Sequence, residues 1–301
     1  MADVPTLKPG IPCPCWSGRK IEDCCGRFGD VRHPQHLPPS RPSRTGIANR
    51  RCYAKVLCDC SARLSTEHYI SRCVLERIED SGGVFASGLA WADGEAKKVS
   101  AASMGSRVLC SQHNTDLSEL DDVAHRLVVY LDEVNDVMKE SRQDQHVLGV
   151  NGHDVERWLL KALCGLVASK NARHEGVPYP PVVPEAWVRI LFGHHVFHGT
   201  RGLYVQGRIG SHQRIQSHRV QLAPLTSAGQ VRGIMVSLSG FELKLATTDV
   251  SPTSSGALDE HTIWRPRVIR FHSDVAESWL CLHWDEGCSD KSINMRWNPT
   301  E

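Results

Sequence analysis

The chain has 301 residues, and its 35 lysines and arginines nearly balance its 34 aspartates and glutamates, giving a formal net charge of +1. A chain of this length is expected to bury a sizeable core and to form two or more domains. It contains no apolar run long enough to span a bilayer and no signal-peptide core, so the sequence predicts a cytoplasmic protein without a membrane partner. Most of its 12 cysteines follow metal-ligand spacing, which also favours a reducing compartment.

The first predicted element is a cysteine cluster near the N-terminus. Four cysteines within thirteen residues enclose too little apolar surface to fold unaided. A structural zinc ion contributes about 10–16 kcal/mol of apparent folding free energy to such peptides. The alternative is a pair of disulfides, which requires an oxidising compartment. The sequence therefore predicts a zinc site formed by Cys13, Cys15, Cys24 and Cys25.

The same segment resembles a known family. The string Pro12-Cys13-Pro14-Cys15-Trp16-Ser17-Gly18-Arg19-Lys20, followed by Cys24-Cys25-Gly26, is similar to the SEC-C zinc motif over residues 10–28. Arg19 stands where that family usually has lysine, and Ile21-Glu22-Asp23 replaces its aromatic and basic residues. Members use the motif for docking, so the resemblance implies a protein partner and no chemistry of its own.

Residues 29–51 form a basic segment rich in proline. Arg41, Arg44, Arg50 and Arg51 contribute positive charge that is able to contact nucleic-acid phosphates through salt-sensitive attraction. The prolines favour a solvated linker instead. Both interpretations stay open, because a flexible basic linker is also able to touch a phosphate backbone.

The next element contains a second set of metal-type ligands. Zinc prefers cysteine sulfur and histidine nitrogen in a tetrahedron, usually as two pairs from separate segments. Cys58 and Cys60 form one pair, and Cys110 and His113 form the other. Because Cys-x-Cys is tighter than the usual Cys-x-x-Cys, Cys52 is a reserve ligand in case Cys58 or Cys60 points away.

Three polar residues accompany these pairs and indicate chemistry. Glu67 and Asn114 offer the oxygen ligands that Mg²⁺ or Mn²⁺ prefers. His68 has an ordinary pKa of about 6.5, suited to accepting a proton from water near neutral pH. The expected cofactors are therefore two structural zinc ions and a catalytic Mg²⁺ or Mn²⁺.

Residues 52–140 resemble the zinc-stapled branch of the HNH (ββα-metal) endonucleases. That branch has a cysteine pair, an acidic residue followed by histidine, and a second cysteine pair followed by asparagine at the start of a helix. The resemblance implies that His68 is the general base and that Glu67 and Asn114 hold the catalytic metal. Three departures are the Cys-x-Cys spacing, His113 in place of cysteine, and Ser71 where proline is common. The long stretch between the two halves predicts an insertion.

The remaining elements predict an α+β accessory domain of unknown role over residues 150–289. Apolar residues at three- and four-residue steps predict helices over 116–139 and 152–169. Alternating patterns predict strands over 203–209, 218–222, 231–239, 241–247, 263–271 and 278–284. Residues 231–247, interrupted at Ser239 and Gly240, are predicted to form a hairpin. The fold class expected for the chain is α+β: a small zinc motif, a ββα-metal module, then helices and a mainly antiparallel, β-rich domain.

Two functions follow from these patterns. The first is a metal-dependent endonuclease that hydrolyses phosphodiester bonds, in DNA more than in RNA, with Glu67, His68 and Asn114 at the site. The second is an inactive zinc-containing protein that binds a protein or nucleic acid without cutting it. A zinc staple alone requires none of these three residues, so they discriminate between the two functions.

Overall fold

The fold is taken from a computed structural model that describes residues 10, 12–24, 35–38, 45–79, 84–87, 89, 95–140, 146–174, 177–206, 212–214, 219–251, 258 and 261–298. Both helices and strands are well represented, and most strand pairs are antiparallel, so the α+β prediction is confirmed. None of the helices in these ranges combines the length and the apolar character that a bilayer crossing requires.

The described residues contain five α-helices. They are α1 (Arg72–Ile78), α2 (Ser111–Asp116), α3 (Ser118–Glu140), α4 (Gly152–Ala168) and α5 (Glu185–Leu191). Short 3-10 helices cover Ile21–Asp23, Lys55–Leu57 and Ala101–Met104.

The same ranges contain sixteen strands. In chain order they are β1 (Leu64–His68), β2 (Val84–Ser87), β3 (Lys97–Val99), β4 (Gly105–Cys110), β5 (His146–Asn151), β6 (Arg173–His174), β7 (Val177–Pro178), β8 (Gly202–Gln206), β9 (His212–Arg214), β10 (Arg219–Ser227), β11 (Gln230–Leu238), β12 (Phe241–Ala246), β13 (Thr262–Trp264), β14 (Val268–His272), β15 (Glu277–His283) and β16 (Ile293–Asn298).

Two larger sheets dominate the described part of the chain. One has seven strands in the order β13-β8-β12-β11-β10-β2-β3, and the other has five in the order β5-β15-β14-β16-β9. The pair β1-β4 stands apart and carries the candidate site. Strands β2 and β3 come from the stretch expected to be an insertion in the nuclease module, yet β2 pairs with β10. The insertion therefore joins the sheet built mainly from later residues.

Helix α4 lies at the centre of the molecule. Its first backbone N–H groups are capped by Asn151, whose side chain accepts hydrogen bonds from the N–H groups of His153 and Asp154 at 2.9 and 3.3 Å. Every residue from Gly152 to Val167 is buried, because the helix packs against α3, α5, β1, β4 and both larger sheets. The predicted bounds of 152–169 agree closely with the observed helix.

Other predicted boundaries change for local reasons. The helix expected over 116–139 is α3, which begins at Ser118, because residue 116 ends α2 and Leu117 separates the two helices. The strand expected over 263–271 is interrupted, because Arg265 has a positive φ of 42° and Pro266 has no N–H to donate. The predicted hairpin of 231–247 is present as β11 and β12. The predicted residues 207–209 and 218 lie outside the described part.

Candidate functional site

The site is built on two antiparallel strands and the helix that follows the second. Strand β1 pairs with β4, with Leu64 opposite Cys110 and His68 opposite Gly105. Helix α2 begins directly after β4, so the last strand residue and the first helical turn face β1. Asn114 in that turn donates a hydrogen bond from Nδ2 to the carbonyl oxygen of Thr66 at 3.4 Å. The local arrangement is therefore strand, strand and helix in contact.

Four metal-type ligands converge beside this unit. The donor atoms of Cys52, Cys60, Cys110 and His113 all lie within 4.8 Å of one another, and all four residues are buried. Nδ1 of His113 lies 3.3 Å from Cys110 Sγ, 3.5 Å from Cys52 Sγ and 3.8 Å from Cys60 Sγ. Tetrahedral zinc with bonds near 2.3 Å to sulfur and 2.0 Å to nitrogen requires separations of about 3.5 Å between nitrogen and sulfur. The three distances from nitrogen to sulfur are therefore compatible with a zinc ion bound by all four residues.

The structure corrects one predicted ligand. Cys58 ends the 3-10 helix at residues 55–57 in a left-handed conformation (φ 52°), is exposed, and lies outside the cluster. Its place is taken by Cys52, whose sulfur accepts a hydrogen bond from the backbone N–H of Cys110 at 3.4 Å. The tight turn directs the thiol of Cys58 to solvent and that of Cys60, two residues on, inward. Spacing alone does not reveal this choice, although it marks Cys52 as the reserve.

Burial affects the protonation of a thiol in this cluster. Burial raises the pKa of Cys52 well above its ordinary value, so without a metal this thiol stays protonated. A zinc ion replaces such protons when it binds thiolates.

The N-terminal cysteines form a second group. Sγ of Cys15 lies 3.4 Å from that of Cys13 and 3.5 Å from that of Cys24. The Arg19 guanidinium and the Ser17 hydroxyl contact Cys24 Sγ at 3.1 and 3.2 Å. Three ligands are thus assembled, with the Arg19 guanidinium beside Cys24. The fourth predicted ligand, Cys25, lies outside the described residues.

One face of this N-terminal motif packs on the chain itself. The backbone N–H of Gly149 donates to Pro14 O at 2.9 Å, and Arg126 donates to Cys15 O at 2.8 Å. The Trp16 ring lies 6.3 Å from Tyr130. The motif is therefore anchored to α3 and β5, and this face is occupied within the protein.

Glu67 lies in the interior, in contact with a buried lysine. Its residue exposure is 2%, and the Lys161 ammonium lies 2.9 Å from its Oε1. Lys161 also donates to Asp121 Oδ1 at 2.5 Å. Burial raises the pKa of the Glu67 carboxyl to about 7, and Lys161 opposes that rise. Glu67 is thus a buried carboxylate with a cation already beside it.

His68 has a different environment, although it is the next residue. A Cβ placed on Gly105 would lie 2.7 Å from Thr66 Cγ2 and 3.4 Å from His68 Cδ2, so these two side chains flank Gly105 on one face of the hairpin. Glu67 between them leaves the strand on the other face, since strand side chains alternate. His68 is half-buried, and burial lowers its pKa, helped by the charges of Arg72 and Lys161. Its imidazole is therefore neutral at pH 7.

A divalent metal at Glu67 does not fit this arrangement. Mg²⁺ and Mn²⁺ require several oxygen ligands and keep bound water, so their sites are open and lined by unpaired oxygens. The Glu67 carboxylate is nearly inaccessible and faces an ammonium group. Asn114 is half-buried and contacts the backbone of β1. The predicted metal role of Glu67 therefore does not agree with the surroundings of its carboxylate.

Lys161 and Asp121 are the site residues that the sequence patterns do not single out. The helical period places Lys161 in an ordinary core helix, since apolar residues surround it. The available signal is the lysine itself: a charged residue on the buried side of a helix requires a partner of opposite charge.

Comparisons of the chain with protein-family profiles, with curated proteins and with solved structures find no match. The described residues hold two cysteine-containing clusters that are compatible with zinc. One of them includes residues of β4 and α2, which with β1 form a strand-strand-helix unit, called the ββα unit below.

Proposed function

We propose that the chain is an HNH-type endonuclease that hydrolyses phosphodiester bonds, in DNA first of all, with His68 as general base. The observation that carries this proposal is the ββα unit: a Cys₃His cluster joins β4 and α2 to the segment 52–60 just before β1, and β1 ends on a half-buried histidine whose pKa is lowered. Zinc binding requires no histidine at that position, whereas phosphodiester hydrolysis uses a base that is neutral near pH 7.

In the proposed reaction, a ring nitrogen of His68 accepts a proton from water while the water oxygen attacks phosphorus. The bond from phosphorus to one sugar oxygen breaks, and the departing oxygen takes a proton from solvent water. The exposed Arg72 is close enough to influence the pKa of His68, and a guanidinium is well suited to hold a phosphate. A bound Mg²⁺ or Mn²⁺ would supply Lewis acidity to such a reaction. No step is assigned to an ion at Glu67, because that carboxylate faces Lys161.

The direct test is plasmid cleavage by the full chain, with Mg²⁺ or Mn²⁺ added, comparing wild type, His68→Ala and His195→Ala. His195 is exposed and lies outside the ββα unit, which makes it the matched control. Loss of general-base catalysis typically lowers a rate by about 10²–10⁴-fold. We expect that loss for His68→Ala only, with the zinc content unchanged. Equal rates for His68→Ala and wild type would exclude this site as the nuclease centre.

A second candidate is a zinc-containing protein that binds nucleic acid or a protein partner without cleavage. The observation that favours it is the buried pairing of Glu67 with Lys161, which leaves that carboxylate without a role in metal catalysis. DNA binding with no cleavage under any divalent ion would support this candidate. In either case we propose a cytoplasmic location, in which the free thiols of the described residues stay reduced.

Binding to DNA is proposed to involve the basic segment that precedes the module. Arg50 and Arg51 are exposed, while Arg41 and Arg44 lie outside the described residues. Neutralising all four is expected to make the dependence of log affinity on log salt shallower by about 0.9 for each duplex phosphate that the variant no longer neutralises. An unchanged slope would leave this segment as a linker. A protein partner for the N-terminal motif would have to use surfaces other than the Trp16 face.

A further inference from the structure

We propose that the Lys161 ammonium occupies the position beside Glu67 at which the sequence predicts a Mg²⁺ or Mn²⁺ ion. Glu67 does not bind either metal while its ion pair with Lys161 is formed. The inference deepens the proposed nuclease function and rests on it, because it states which cation serves the same site. It assigns Lys161 as a positioning residue for the strand that carries His68.

The distances support this assignment. Lys161 Nζ lies 2.9 Å from Glu67 Oε1 and 2.5 Å from Asp121 Oδ1. The side chains of Lys161 and Glu67 are 4% and 2% exposed, whereas that of Asp121 is 29% exposed. The ammonium is thus shared between two carboxylates, one of which is sealed from solvent.

The surroundings hold the group in place. Asp121 Oδ1 also accepts a hydrogen bond from the Ser71 hydroxyl at 2.5 Å, and Ser71 Oγ accepts one from Trp158 Nε1 at 3.0 Å. Trp158 and Lys161 are one turn apart on α4, and Ser71 immediately precedes α1. The network therefore connects α4 to α1, α3 and β1, and these contacts restrict the movement of the Lys161 side chain.

The charges explain why an added ion is excluded. Burial alone would lower the pKa of Lys161, but Glu67 and Asp121 raise it, so the ammonium stays charged. A divalent ion at Glu67 would sit beside this positive charge in a region with little water to screen the repulsion. It would also have to displace the ammonium from its place between the Glu67 and Asp121 carboxylates.

Lys161 could serve only as one half of a structural ion pair, or it could occupy the place of a divalent ion. Both roles predict that Lys161→Met is less stable than wild type. Only the second role predicts that Lys161→Met binds a divalent ion at Glu67. Mn²⁺ binding, measured by the electron paramagnetic resonance signal of the free ion, reports this without any nucleic acid.

The experiment compares the zinc-loaded full chain as wild type, Glu67→Gln, Lys161→Met and the double variant, with Lys98→Met as a control at an exposed lysine. We expect identical Mn²⁺ titrations for wild type and Glu67→Gln. Lys161→Met should bind one Mn²⁺ at least tenfold more tightly than wild type, and the double variant should lose that site. A wild-type site that Glu67→Gln removes, or no Glu67-dependent gain in Lys161→Met, would overturn the inference.

A measurement on the wild-type protein covers the case in which Lys161→Met does not fold. The ¹⁵N-detected signal of a buried lysine ammonium is assigned through its shift in Glu67→Gln. Stoichiometric Mg²⁺, which is diamagnetic, should leave the chemical shift of this signal unchanged, whereas an ion bound at Glu67 would displace the ammonium, shift the signal and contradict the inference. The nuclease proposal is judged separately by His68→Ala, since Mn²⁺ binding and plasmid cleavage fail independently.

Discussion

The choice between Cys52 and Cys58 is a sharp prediction of the structure. Cys52 is 1% exposed and contacts both Cys110 and His113, whereas Cys58 is exposed at the end of a 3-10 turn. We expect Cys52→Ser to lose the zinc ion of the ββα unit and Cys58→Ser to keep it. Each change replaces sulfur by oxygen at one position, so the two variants are matched.

The expected magnitude follows from the role of the ligand. Removing even a group that only hydrogen-bonds to a metal ligand typically weakens metal binding by about 10–100-fold. Losing one of four direct ligands should therefore cost at least about 100-fold, which equals about 2.7 kcal/mol. Structural zinc contributes about 10–16 kcal/mol to small peptides, comparable with the total stability of a domain of about 5–15 kcal/mol. Cys58→Ser, a surface change, should alter stability by no more than about 0.5 kcal/mol.

The assay is elemental analysis of protein purified without chelator, followed by thermal unfolding. We expect two zinc ions in wild type and Cys58→Ser, and one in Cys52→Ser, with a lower Tm that added zinc raises only in part. Cys13→Ser is the complementary control, because it should remove the other ion. Loss of zinc from Cys58→Ser with retention in Cys52→Ser would refute Cys52 as the fourth ligand.

Two further predictions concern buried charge. In the interior, Glu156 accepts hydrogen bonds from Nε and an Nη of Arg265 at 2.8 and 2.9 Å. Glu156→Ala should therefore lower the free energy of unfolding, measured by urea titration, by about 3–5 kcal/mol. The control is Glu133→Ala, which removes a partner of the His146 side chain near the surface and should cost at most about 1 kcal/mol. Because burial raises the pKa of Glu67 from its ordinary 4.5 to about 7, its contribution to stability is fully present below pH 4.5 and is lost as the pH rises through 7. Between pH 4.5 and pH 8, the free energy of unfolding of wild type should therefore fall by up to about 3 kcal/mol more than that of Glu67→Gln. If the two proteins show the same dependence of stability on pH, the burial argument is wrong.

The sequence predicted those features that depend on local periodicity. Helix α4 was expected over 152–169 and spans Gly152–Ala168, because its apolar residues recur at the helical period. The β11-β12 hairpin was found because strand patterns flank Ser239 and Gly240, and both of these residues have positive φ. Such features are decided within a few residues of the chain.

Features that depend on distant partners were not predictable in the same way. The pattern of β2 does not reveal that it pairs with β10. Three ligands, Cys60, Cys110 and His113, followed from spacing, but the fourth depended on a backbone turn that spacing does not encode. Whether Glu67 faces water or a lysine depends on how α4 packs on β1, which no local pattern determines.

Helix α4 connects distant segments of the described chain through buried charge. Its buried charged residues each bind a partner from a different part of the chain. The pairs are Asp154 with His36, Glu156 with Arg265, and Lys161 with both Glu67 and Asp121. A buried charge without its partner is costly, so each pair holds its segment in position only when α4 is in place. The linker, the late strands and the ββα unit are thus coupled through one helix, and the setting of His68 depends on residues far from the zinc cluster.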